Sequence, residues 1–169
     1  YMGDGVGFTP YDMELPDYPN EAKCILWADV DNDGDQDLFI TYRLAANKLY
    51  INQGDLIMTD VSAECGIDQT MRRSYGACFG DYDNDGLLDL FIANYVSGQD
   101  PPFNEFYRNL GGGNFEEVTF DFPMGEPLHQ NFQGQWVDFD EDGLLDLNLI
   151  RDRLCFENKY YKQTEAGNF

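Results

Sequence analysis

The stretch "GDYDNDGLLDLFIANY", residues 80–95, carries Asp81, Asp83, Asp85 and Asp89 within nine residues, a glycine among them and an apolar run straight after. Two carboxylates ~5 Å apart repel by ~3 kcal/mol at an effective dielectric of ~20, so a chain that crowds four of them needs something to offset the repulsion. The same pattern occurs three times. "ADVDNDGDQDLFITY" from Ala28 and "VDFDEDGLLDLNLIR" from Val137 superpose on "GDYDNDGLLDLFIAN" from Gly80 without a gap, their first aspartates (Asp29, Asp81, Asp138) lying 52 and then 57 residues apart. An aromatic residue, Trp27, Phe79 or Trp136, sits two places before each first aspartate. Self-similarity at such a period is the signature of a repeat architecture.

Each unit reads as β structure. "CILWA", "GACFG" and "GQWV" lead into the aspartates, and "LFITY", "LFIANY" and "LNLI" follow them. Short apolar runs bounded by turn residues fit strands buried on both faces. A second element follows each loop: "NKLYINQG" at Asn47, "NEFYRNLGGGNFEEV" at Asn104 and "LCFENKYYKQTEAGNF" at Leu154. Tyr50, Tyr107 and Phe156 are assigned to equivalent core positions in these elements. No segment offers an amphipathic helix of useful length. A period near 50 residues with about four strands is the size of a propeller blade. The fold class is therefore all-β, with propeller-like blades of about four antiparallel strands. The units are residues 21–70, 71–125 and 126–169, the last truncated, and residues 1–20 are an outer strand that completes a blade.

The loops point to a divalent cation. Calcium takes six to eight oxygen ligands in flexible geometry, and side chains at positions 1, 3 and 5 of a tight loop converge. Glycine at position 6 allows the sharp turn, position 7 offers its carbonyl, and an aspartate at position 9 takes the place of the distal glutamate in an EF-hand loop. The chain leaves as a strand, which rules out the EF-hand fold. The ligands assigned are Asp29, Asp31, Asp33 and Asp37 with the Asp35 carbonyl. In the second loop they are Asp81, Asp83, Asp85 and Asp89 with the Leu87 carbonyl, and in the third Asp138, Asp140, Asp142 and Asp146 with the Leu144 carbonyl. Three calcium sites are expected. Magnesium, which demands a strict octahedron and keeps its waters, suits the loops less well.

The motif D-x-D-x-D-G-x-x-D between strands, with a "LYxN" hairpin behind it, resembles the FG-GAP or VCBS-type repeat that builds integrin-α-like β-propellers. The pattern of "FGDYDNDGLLDLFIAN" is similar to the cartilage acidic protein-like subgroup. The "GAP" after the loop is replaced here by "ANY", "TYR" or "IRD". The resemblance therefore extends to the metal loop and the blade, not to ligand recognition. It implies a secreted or cell-surface protein with a structural or adhesive role.

Composition agrees with a folded acidic domain. Apolar residues make up 43% of the 169 residues, aromatics 15%, and the formal charge is −22. Such a charge argues against nucleic acid and anionic membranes as partners, and no apolar run is long enough to span a bilayer. Cys24, Cys65, Cys78 and Cys155 show no C-x-x-C pairing and allow three disulfide pairings. The lone His129, the lack of a nucleophile motif and the use of the best carboxylates as ligands argue against an enzyme. Tyr42, Tyr95 and Arg151, just beyond the loop strands, are surface candidates for ligand contact. The alternative reading is a calcium-dependent, lectin-like carbohydrate-binding domain.

Propellers close with about four to eight blades, and three repeats make an incomplete ring. The chain starts at Tyr1, not at methionine. Two arrangements are expected from the count: a fragment of a larger propeller that supplies the remaining blades, or copies assembled head-to-tail into a ring or filament. In either case residues 8–12 should form a strand against the last blade of the chain or of a neighbour.

Overall fold

A computed structural model describes residues 2–3, 8–16, 18, 20–95, 103–122, 130–151 and 157–169. Two short strands come first, β1 (Met2–Gly3) and β2 (Phe8–Thr9), paired among the described residues with each other. Blade 1 is the meander β3 (Glu21–Ala28), β4 (Asp37–Ala45), β5 (Lys48–Asn52) and β6 (Met58–Asp60). Blade 2 repeats it as β7 (Arg72–Gly80), β8 (Asp89–Asn94), β9 (Glu105–Gly111) and β10 (Asn114–Glu117). Blade 3 contains β11 (Asn131–Val137), β12 (Asp146–Arg151) and β13 (Lys159–Tyr161). All pairings are antiparallel. Among the described residues the only helical segment is one 3₁₀ turn, Thr119–Asp121. The chain is thus nearly all β, its blades curled like part of a propeller.

The second strand of blades 1 and 2 reads as an unbroken apolar run because it is sandwiched. Along β8, Leu90 and Ile92 face blade 1, in one cluster with Phe39, Leu49 and Ile51. Phe91 and Ala93 point the other way, into a cluster with Leu147 and Leu149 of blade 3. Residues two apart share a face of a strand, so each blade contributes one set of side chains to each neighbour. Close approach is built in at Gly134, where a Cβ would lie 2.5 Å from the Phe91 ring. The far face of blade 1 is different. Leu38, Ile40, Tyr42 and Tyr50 are covered by Met13, Leu15 and Tyr18 from the N-terminal segment, with Tyr18 and Tyr42 ring centroids 4.7 Å apart.

That packing bears on two expectations, the first only as regards pairing within the chain. Within the described residues Phe8–Thr9 pairs with Met2–Gly3 and not with blade 3, and the segment that follows straps blade 1. In the third blade the position equivalent to Tyr50 and Tyr107 is Tyr161, not Phe156. Register decides it, because Tyr50, Tyr107 and Tyr161 stand opposite Leu38, Leu90 and Leu147. The register is pinned by Asn47, Asn104 and Asn158, whose Oδ1 atoms accept the backbone N–H of Tyr42, Asn94 and Arg151. Phe156 itself lies outside the described residues.

Adjacent blades are tied at the ends of their second strands. Arg43 and Ala45 of β4 pair with Arg73 and Arg72 of β7, and Tyr95 bridges to Gln130. The seam is polar inside. The Arg72 Nε lies 3.0 Å from Glu105 Oε1, and Glu105 also accepts from Asn94 Nδ2 at 2.8 Å and from the Tyr107 hydroxyl at 2.9 Å. Burial pushes the Glu105 carboxyl up, against the pull of Arg72. Cys24, Cys65 and Cys78 are free thiols, and Cys155 lies outside the described residues.

Candidate metal centre

All three Asp-rich loops join the first strand of a blade to the second, so they gather at one end of the molecule. Asn32 Nδ2 of the first loop donates to the Gly86 carbonyl of the second at 3.3 Å. The turn is shaped by two left-handed residues. Position 4 holds Asn32, Asn84 and Glu141 at φ of 60°, 60° and 62°, and position 6 holds Gly34, Gly86 and Gly143 at φ of 98°, 88° and 87°. Asparagine tolerates that region better than most residues, and glycine enters it without a Cβ penalty.

This winding turns alternate aspartates inward. In the first loop Asp29, Asp31 and Asp33, and in the second Asp81, Asp83 and Asp85, each offer an oxygen within 4.8 Å of the others. The position-1 carboxylate also organises the turn. Asp29 accepts the N–H of Asp33 at 3.1 Å and of Gly34 at 3.0 Å, and Asp81 accepts those of Asp85 at 3.0 Å and Gly86 at 2.9 Å. Asp138 does the same for Asp142 and Gly143 at 3.1 and 2.9 Å. At position 7, the N–H groups of Asp35, Leu87 and Leu144 donate to the position-5 carboxylates at 2.9, 2.9 and 3.0 Å.

Position 9 has a structural job that its spacing did not reveal. Asp37, Asp89 and Asp146 are at most 1% exposed. One oxygen of each accepts the N–H of position 2 (Val30, Tyr82 or Phe139), at 2.8, 3.1 and 3.3 Å. The other accepts the N–H of Asn52, Asn109 or Gln163 behind the loop, at 2.9, 2.8 and 2.9 Å. The side chains of Asn109 and Gln163 then reach the preceding loop, donating to the Val30 and Tyr82 carbonyls at 2.8 Å. Asp37 and Asp89 stand outside the converging triads of their loops, whereas the third triad is Asp138, Asp140 and Asp146. Asp142 instead lies 3.4 Å from the Lys162 ammonium, which also pairs with Asp140.

Electrostatics record the crowding. Burial, with help from neighbouring carboxylates, raises the pKa of Asp31, Asp37 and Asp83, and pushes that of Asp89 up to about 7. The Lys162 ammonium holds Asp140 below the usual carboxylate range. An all-oxygen donor set with members 4.8 Å apart or less fits a calcium ion, whose ligands at 2.3–2.6 Å lie up to ~5 Å from one another across it.

The other candidates are not free. Tyr42 is buried under Tyr18, Arg151 is buried, and Tyr95 packs against Tyr75 and Phe132 at 5.2 and 5.7 Å. His129 lies outside the described residues. No helix among the described residues is long and apolar enough to cross a membrane.

A family model described as an FG-GAP-like repeat matches residues 29–92 and again residues 81–148. A comparison with curated proteins returns no match.

Proposed function

The chain belongs to the FG-GAP-like repeat family, and from that premise we propose that it is a calcium-loaded β-propeller module with a structural, adhesive role outside the cell. The observation that carries this reading is the convergence of three carboxylates in each of three equivalent loops. A bound calcium ion supplies the positive charge that the loops lack. Asp29, Asp31 and Asp33 would hold it in the first loop, Asp81, Asp83 and Asp85 in the second, and Asp138, Asp140 and Asp146 in the third. Asp37 and Asp89 complete their loops from behind, each already fixed by two backbone N–H groups. Because Asn109 and Gln163 tie the first and second loops to the next blade, ion binding there braces the seams between blades and not the turns alone. Extracellular work suits such exposed sites, since modules there operate with dissociation constants of about 10⁻⁴–10⁻³ M.

The test is metal analysis with a melting curve. The purified chain should carry calcium and lose it to a chelator. A site held at a hundred times its dissociation constant adds about 2.7 kcal/mol. Stripping three such ions should therefore lower Tm by on the order of 15–30 °C, given about 2–4 °C per kcal/mol at this size. A chain free of calcium that melts at the same temperature with and without chelator overturns the reading.

A further inference from the structure

The third loop carries a positive charge that the first two do not. Lys162 follows β13 and precedes Gln163, the residue whose N–H holds Asp146. Its equivalents in the earlier blades are Ile51 and Arg108, each immediately before the asparagine that holds Asp37 or Asp89. Ile51 is uncharged and buried in the core between blades 1 and 2. Arg108 is directed to Glu116 across the β9–β10 pair, at 2.7 Å. Its charge acts on Asp83 only at longer range. Lys162 instead places its ammonium on Asp140 and within 3.4 Å of Asp142.

Asp140 and Asp142 stand at positions 3 and 5, which supply converging ligands in the other loops. Resting on the calcium reading above, we propose that Lys162 is a built-in competitor for the third site, which makes that site the weakest of the three. The ammonium offsets one of the loop's negative charges while no ion is bound. A divalent ion must displace it and then bind beside a cation that cannot leave the neighbourhood. Losing the exposed ion pair costs little, because such pairs contribute at most about 1 kcal/mol. The residual repulsion between a unit charge and a divalent ion ~5 Å apart matters more, and even in water it corresponds to roughly a tenfold loss of affinity. The third triad also differs in membership, with Asp146 joining Asp138 and Asp140 in place of Asp142. The third loop then loads last and empties first as calcium falls.

The experiment is a calorimetric calcium titration of the stripped full chain, with Lys162→Met, Lys162→Arg and Asp138→Asn alongside. Wild type should show two tighter sites and one weaker. Lys162→Met should tighten the weak site roughly tenfold and leave the others unchanged, while Lys162→Arg should keep it weak. Asp138→Asn should delete the weak step alone, which assigns it to the third loop. Three indistinguishable sites in wild type, or a weak site that Lys162→Met does not move, overturn the inference and leave the calcium reading standing. Absence of any binding overturns both.

Discussion

Blades 2 and 3 present the same face to different surroundings. On the forward side of blade 2, Phe91, Ala93 and Phe106 are buried against Leu147, Leu149 and Trp136 of blade 3. The same positions on blade 3 hold Asn148, Ile150 and Tyr160, with Gln135 opposite Asn148. Ile150 is 42% exposed and Tyr160 65%. The backbone is common to both faces, so the difference lies in side-chain chemistry. Where another blade packs on it, the second strand offers a phenylalanine, Phe39 or Phe91. On blade 3, where no described strand packs on that face, the matching residue is an amide, Asn148. The loops repeat with little change, their carboxylates converging in each, whereas the faces diverge with what covers them.

The largest expected effect separates the two faces. Phe91→Ala, in calcium-saturated buffer, should cost about 3–5 kcal/mol by denaturant unfolding, the loss of a fully buried aromatic ring. Asn148→Ala, at the matching position, should change stability by no more than about 0.5 kcal/mol. Equal costs would mean that the forward face of blade 3 is packed as tightly as that of blade 2.

A smaller effect tests the fit within the covered face. Gly134→Ala puts a Cβ 2.5 Å from Phe91 Cδ1, and the Phe106 and Trp136 rings, centroids 6.3 and 6.5 Å away, leave the Phe91 ring little room to retreat. It should cost about 1–3 kcal/mol, as overpacked cores do. Adding Phe91→Leu should return part of that loss, a coupling visible in a double-mutant cycle. A neutral Gly134→Ala would show that the blades stand further apart.

How far the sequence reaches is set by the range of the interactions. The loops were legible because spacing, glycine and residue type lie within nine positions, and the clustering of Asp81, Asp83 and Asp85 follows from them. Strand content was legible for the same reason. The supporting role of Asp89 was not, because one of its partners, Asn109, lies 20 residues away and register cannot be read from composition. The slip between Phe156 and Tyr161 has that origin: both are aromatic residues of one hairpin, and only pairing with Leu147 tells them apart. Lys162 drew no notice because its meaning depends on a loop 22 residues earlier. The strap of Met13, Leu15 and Tyr18 over blade 1 lacks any repeat pattern to announce it.

The last prediction concerns the two outer faces together. Head-to-tail stacking of copies would set the Gln135–Asn148–Tyr160 row against the uncovered edge of blade 1, where Ile25 and Trp27 are 60% and 44% exposed. At each internal junction a phenylalanine meets a small residue of the next blade's first strand: Phe39 shares a cluster with Ala77, and Phe91 lies on Gly134. At the outer faces both halves are exchanged, Asn148 for the phenylalanine and Ile25 for the small residue. Rebuilding the seat tests whether this chemistry governs stacking. Asn148→Phe combined with Ile25→Gly should raise the self-association measured by sedimentation above that of wild type or either single variant. The change in monomer stability should stay small, because both positions are on free faces. If wild type already associates as strongly as the double variant, then the amide face is an adhesive surface in its own right and the contrast between blades 2 and 3 is one of partner rather than of exposure.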